Sequence, residues 1–131
     1  VHNKDTRRTK TGDYYQLKAI PAFANNVAYN DIISVEYEAG YLFFDELIQQ
    51  SGHSVAHIVI LQPGYSANIY AALISFGVNI NYLHNNLYIV IDIPPNVLYN
   101  NFRQYLIKEK DSRNIDVREA CISDLHFKSI K

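Results

Sequence analysis

VAHIVILQPGYSANIYAALISFGVNINYL, residues 55–83, changes its period midway, and that change decides the fold. Val55–Leu61 is apolar almost throughout, the pattern of a strand buried on both faces. Gln62-Pro63-Gly64 interrupts it. Ile69, Ala72, Leu73 and Phe76 then recur at i, i+3, i+4 and i+7, one face of a helix. Ser66 stands where an N-cap belongs and Gly77 where a helix stops. Asn79–Leu83 and Leu87–Ile93 read as strands joined through His84-Asn85-Asn86, since asparagine tolerates the left-handed backbone of tight turns. Pro94-Pro95-Asn96 ends the second strand. Asn96 is the expected cap of a helix with the stripe Leu98, Phe102, Tyr105 and Leu106. Lys108 and Lys110 suit the negative pole of that helix. Ile115–Ile122 alternates as a last strand. Strand, helix, strand, strand, helix, strand over residues 54–122 predicts a ferredoxin-like βαββαβ half.

Upstream the signals are all of the strand type. Asp13–Ile20 is a strand that ends at Pro21, and Ala22–Asn30 carries turn-forming asparagines. Ile32–Tyr37 alternates, Glu38-Ala39-Gly40 reverses the chain, and Tyr41–Ile48 pairs back as a hairpin. Residues 13–50 therefore form an antiparallel β unit, which either extends the later sheet or packs as an appended small barrel. Residues 1–12, polar and aperiodic, read as a flexible basic arm. The whole is one α+β domain over residues 13–131, a length that buries a core without staples.

Charge is unevenly placed. The net charge is −1, but residues 14–102 hold one base, Lys18, against Asp31, Glu36, Glu38, Asp45, Glu46 and Asp92. An acidic middle disfavours a nucleic-acid backbone and favours a cationic partner. Eleven tyrosines supply contact area with a hydroxyl handle, as suits a binding surface. One cysteine, Cys121, excludes an internal disulfide and a multi-cysteine metal cluster. No apolar run reaches the roughly 20 residues of a membrane helix. A cytoplasmic protein without membrane contact is the expectation.

No group of residues forms a catalytic signature. His53 and His57 are four apart, but in a strand that separation is about 13 Å, too far for one metal ion. His57 is expected on a buried strand face with one hydrogen bond, and His53 is expected to organise the Ser51–Ser54 bend. Cys121 reads as a buried structural thiol. Gln62–Ser66 lacks the glycines and lysine of a phosphate loop, so no nucleotide cofactor is expected. Tyr82 and Tyr88 on the central hairpin would suit base stacking, but the basic surround is missing. Glu36, Glu38, Asp45 and Glu46, with Tyr41, lie on the expected solvated side of the 32–48 hairpin and are the candidate partner-binding residues.

Ala19-Ile20-Pro21-Ala22-Phe23-Ala24, Val27–Val35 and Ser51-Gly52-His53-Ser54 resemble a bacterial family catalogued as a domain of unknown function. Its members show an IPFxA…GD-V stretch, a short hairpin, then SGHS before a strand. Ala22 and Asn30 depart from the commonest pattern. The resemblance brings no established reaction. It marks Pro21, Phe23, Asp31, Gly52 and His53 as signature positions. A looser similarity is to immunity proteins, small acidic α+β proteins that neutralise toxins, often basic nucleases, through carboxylates and tyrosines. The expectation is thus a non-catalytic inhibitor of a basic toxin domain. The competing readings are a small enzyme or ligand-binding domain centred on His53, Ser54 and His57, and a regulatory module of a larger assembly.

Overall fold

The computed structural model describes residues 6–8, 14–21, 26–83 and 86–130. Within them the chain is α+β, with two antiparallel four-stranded sheets and three α-helices. β1 (Thr6–Arg8), β2 (Tyr14–Leu17), β3 (Ile32–Glu38) and β4 (Tyr41–Gln49) form the first sheet in that order. Within the arm expected over residues 1–12, Thr6–Arg8 forms β1 and its backbone pairs with Leu17–Tyr15. The rest of that segment lies outside the described residues.

The β3–β4 hairpin turns on Ala39 and Gly40 at φ 52° and 86°. Two central residues with positive φ make the tight turn whose twist matches the flanking strands. Beyond it, register shifts at Ile32/Ile33 and Ser34/Val35 mark bulges. Alternation sends Ile33, Val35, Phe44 and Leu47 inward, where they pack with Leu17 and Val27.

The second sheet has the order β6 (Asn79–Tyr82), β7 (Tyr88–Ile93), β5 (Ser54–Ile60), β8 (Ile115–Cys121), every pair antiparallel. β5 and β6 accordingly run parallel with β7 between them. α1 (Ser66–Phe76) and α2 (Tyr99–Asp111) cover one face, where Ala56, Ile58, Ile89 and Ile91 meet Ile69, Leu73, Phe102 and Leu106. The opposite face is partly closed by the N-terminal unit: Ile20 and Ala28 pack on Val55, Val90 and Ala120. Both faces of β5 are thus covered from Ser54 to Ile58, which accounts for the apolar run there, whereas Val59 and Leu61 at its far end are exposed.

Three local expectations shift. Ser66 is the first helical residue rather than the cap, because a 3-10 turn over Pro63–Tyr65 leads straight into α1. Gly77 does end α1, at φ 90° with its N–H on Ile74 O. Asn96 does not cap α2, because a turn bonding Val97 N–H to Pro94 O delays the helix to Tyr99. Leu98 becomes the cap residue and is 71% exposed, so the buried stripe is Tyr99, Phe102, Leu106 and Glu109. A third helix, α3 (Asp124–Ser129), follows β8 and is capped by Ser123, whose side chain accepts from His126 N–H.

Candidate functional site

The outer face of the first sheet collects the candidate binding residues. Glu38 pairs with Tyr41 and Glu36 with Phe43 across the hairpin, and Tyr14 pairs with Ser34. All of the acids here, Glu36, Glu38, Asp45 and Glu46, are exposed. So is Tyr41, at 55%, with Phe43 and Tyr14 each at 36%. The bulge beside Ser34 explains how adjacent Asp45 and Glu46 gather at one place. Ser34 Oγ donates to Asp45 Oδ2 (3.3 Å) and accepts from Glu46 N–H (3.2 Å). Tyr41 and Phe43 meet edge to face at 6.3 Å. Carboxylates flanking exposed aromatic rings form a surface that can offer a cation both charge and apolar contact.

Three of the signature positions, Asp31, Gly52 and His53, lie elsewhere, about the passage from β4 to β5. Asp31 is buried and accepts at both oxygens: Ala28 N–H at Oδ2 (2.9 Å) and Ser51 N–H at Oδ1 (2.8 Å). Ser51 Oγ lies 2.9 Å from Asp31 Oδ1 and 2.6 Å from Tyr29 O, while accepting from His53 N–H. Burial pushes the Asp31 carboxyl above the ordinary value, opposed by the bonds from Ser51 and Ala28. Gly52 sits at φ +93°, and a Cβ there would lie 3.1 Å from Pro95 Cγ. Gly52→Ala combines a left-handed backbone with a clash against a rigid ring. The expected loss is about 2 kcal/mol of stability, read from the midpoint of urea unfolding. Pro21 is buried, and Phe23 lies outside the described residues.

His53 Nδ1 bonds Asp92 Oδ1 at 2.7 Å, and Asn79 Nδ2 donates to Asp92 Oδ2 at 2.9 Å. Tyr29 packs edge-on against the imidazole at 5.2 Å. His57, four residues on, is buried and bonds Tyr88 OH at 3.0 Å. Burial, then the nearby Arg118 charge, holds its pKa below the ordinary value. The third member of the competing reading, Ser54, goes to yet another partner, His126 Nδ1 at 2.6 Å. His53, Ser54 and His57 are thus each tied to a different group.

The Ser54–His126 contact has the chemical make-up of a nucleophile and base, but its setting is structural. His126 Nε2 lies 3.0 Å from Pro94 O, a carbonyl that only accepts, so Nε2 carries the hydrogen. Nδ1 is then the acceptor for the Ser54 hydroxyl. Ser54 Oγ also accepts from Ser123 N–H, and the serine is fully buried. The imidazole stacks on Tyr99 at 4.7 Å. A nucleophile must meet its substrate, and this hydroxyl faces protein on every side. What it does is join β5, the Pro94 turn and α3. Cys121 is likewise buried, its thiol pushed up to about 11, so it is not a thiolate at neutral pH.

Tyr82 and Tyr88 do not form a stacking platform together. Tyr82 packs on Tyr70 of α1, whereas Tyr88 meets His57 on the other face of the sheet. The residues that sequence reasoning missed are Asp92, Asn79, Ser123 and His126. A carboxylate inside the apolar run YIVIDI was the available signal for the first, and Ser123-Asp124 ahead of His126 was a cap signal for the last pair.

Fold and site together define an α+β protein with an exposed acidic, aromatic sheet face and a buried polar junction between its two sheets. The chain belongs to the family described as a domain of unknown function, DUF4265, whose model matches residues 7–117. It is similar to a solved structure described as a hypothetical protein from Neisseria gonorrhoeae. The two are 29% identical with a TM-score of 0.79, over 90% of this chain and 81% of that one. No curated protein matches. Among the described residues no helix is long and apolar enough to cross a membrane.

Proposed function

We propose that the protein is a non-catalytic bacterial inhibitor of the immunity type, which binds and blocks a basic toxin domain of the nuclease class. One observation carries this reading. The outer face of β2–β4 brings Glu36, Glu38 and Asp45 beside exposed Tyr41, Phe43 and Tyr14, in a stretch where residues 19–102 contain no lysine or arginine. Such a face attracts a cationic cleft at long range and then offers rings to desolvate against it. The same reading takes β5–β8 with α1 and α2 as a ferredoxin-like half that serves as the rigid base for this face. The strand order β8-β5-β7-β6 supports it.

The test is co-expression with the basic proteins encoded in neighbouring reading frames. Wild-type protein is expected to relieve the toxicity of one of them and to co-purify with it in fixed stoichiometry. The triple variant Glu36→Lys, Glu38→Lys, Asp45→Lys is expected to weaken that complex about 100-fold, chiefly by slowing association. Raising salt is expected to weaken the wild-type complex. Unchanged affinity in the folded triple variant removes this face from the reading.

A further inference from the structure

The second sheet ends in an open strand that complements itself. β8 lies at the edge, with β5 on one side and, among the described residues, no strand on the other. Leu61 N–H bonds Asn114 O. Alternation along the β5 register then points the backbone groups of Asp116 and Arg118 at β5, and those of Ile115, Val117 and Glu119 outward. Val117 N–H agrees with this direction, because its acceptor is the Asp116 side chain at 2.9 Å rather than β5. The open stretch has definite ends. Asn26 N–H takes Ala120 O on one side, and the Ser112–Arg113 turn closes the other.

We infer that a second copy of this chain pairs along β8, antiparallel about a two-fold axis at Val117, to join the two second sheets into one. Charge selects both the partner and the register. Asp116 and Arg118 are exposed and share the face away from the helices. With Val117 opposite Val117 of the copy, each Asp116 faces an Arg118, giving two cross-strand ion pairs at the closer, non-hydrogen-bonded positions. A shift of the outward-facing register in one direction puts Asp116 opposite Asp116. The opposite shift puts Arg118 opposite Arg118. Both shifts are repulsive, so one register remains. Asp116 now holds Val117 N–H and lies 3.9 Å from Lys110. In the pair it exchanges that N–H for the guanidinium, and Val117 N–H takes the carbonyl of its counterpart. On the helix side, a groove of about 150 Å³ lined by Leu106, Ile107 and Val117 runs beside the edge. Pairing brings two such grooves together and covers Ile107, which is 37% exposed. The surface proposed for the toxin lies on the other sheet, so the two inferences stand or fall separately.

Sedimentation velocity over a wide concentration range reads this directly. Wild-type protein is expected to shift from monomer to dimer as concentration rises. Asp116→Arg places like charges opposite each other twice, and is expected to raise the dimer dissociation constant about tenfold or more. The double variant Asp116→Arg, Arg118→Asp exchanges the charges and is expected to restore the dimer. It does not restore the original hydrogen bond to Val117, so rescue separates pairing from local structure. Amide exchange provides a reading without variants, with Ile115, Val117 and Glu119 expected to slow as concentration rises. A wild-type monomer at every concentration overturns the inference. So does a dimer indifferent to Asp116→Arg, a double variant without rescue, or edge amides that exchange equally fast throughout.

Discussion

Leucine in place of His126 is expected to cost about 3 kcal/mol of stability and to lower the unfolding midpoint by roughly 10 °C. The imidazole is 2% exposed and bridges three segments far apart in sequence. It accepts from Ser54 of β5, donates to the carbonyl of Pro94, and stacks on Tyr99 of α2. Leucine keeps most of the volume but neither polar contact. The Ser54 hydroxyl is left with Ser123 Oγ at 3.5 Å, and Pro94 O loses the ring N–H. Each buried polar group so orphaned costs about 1–3 kcal/mol, and the lost stacking adds to it. Differential scanning calorimetry checks the midpoint. A shift of only a degree or two means that Ser54 and Pro94 find new partners.

The same residue makes stability depend on pH. Burial holds the His126 pKa below the ordinary 6.5, opposed by the backbone bonds at Pro94 and Pro95. The unfolded chain therefore binds a proton that the folded chain resists. The stability tied to neutral His126 is full above the unfolded pKa and is lost as pH falls toward the folded value. His57, also lowered by burial, has the same sign. Between about pH 7 and about pH 5 the two histidines lower the unfolding midpoint as pH falls, while Asp31, raised by burial, works against them. His126→Leu is expected to remove part of the fall. A slope equal in both proteins assigns the effect to His57 and other groups.

What the sequence makes legible follows from how local each signal is. Period and punctuation are local, so the strands around Val55, Ile89 and Ile115, the α1 stripe and the Gly77 stop can be read directly. Helix starts depend on whether a preceding turn has used up the chain, which is why Ser66 and Asn96 are each misread as caps. The hairpin acids are legible as a surface because alternation and a tight turn fix their face. The junction is not. Asp31 meets Ser51 at the paired ends of β3 and β4, His53 meets Asp92 beside the β5–β7 ladder, 39 residues away, and Ser54 meets His126 across 72 residues. No spacing rule joins partners whose proximity is set by tertiary packing. A fragment such as Ser51–Ser54 shows only that something local is being organised, and its partners must be seen in space.

Asp31→Asn tests that junction most sharply, with an expected loss of about 3 kcal/mol despite near-identical shape. Both carboxylate oxygens accept from a backbone N–H, Ala28 at one and Ser51 at the other. An amide offers one acceptor and one donor. Whichever way the new amide turns, its NH₂ faces a backbone N–H, leaving one buried donor unpaired and two donors in contact. The protonated acid differs from the amide here, because its hydrogen can reach Ser51 Oγ, 2.9 Å away, while that hydroxyl donates to Tyr29 O. That geometry agrees with the upward shift of the Asp31 carboxyl by burial. An acid whose folded pKa is raised contributes stability that is full below the unfolded pKa and is lost as pH rises through the folded pKa. The amide does not titrate, so its penalty relative to wild type is expected to be largest in acid, where Asp31 is protonated. The penalty shrinks as the wild-type carboxyl ionises. Chemical denaturation of both proteins from acid to neutral pH measures this difference. A penalty that instead grows with pH means that the ionised carboxylate is the form the fold prefers, and that the donors around Asp31 outweigh its burial.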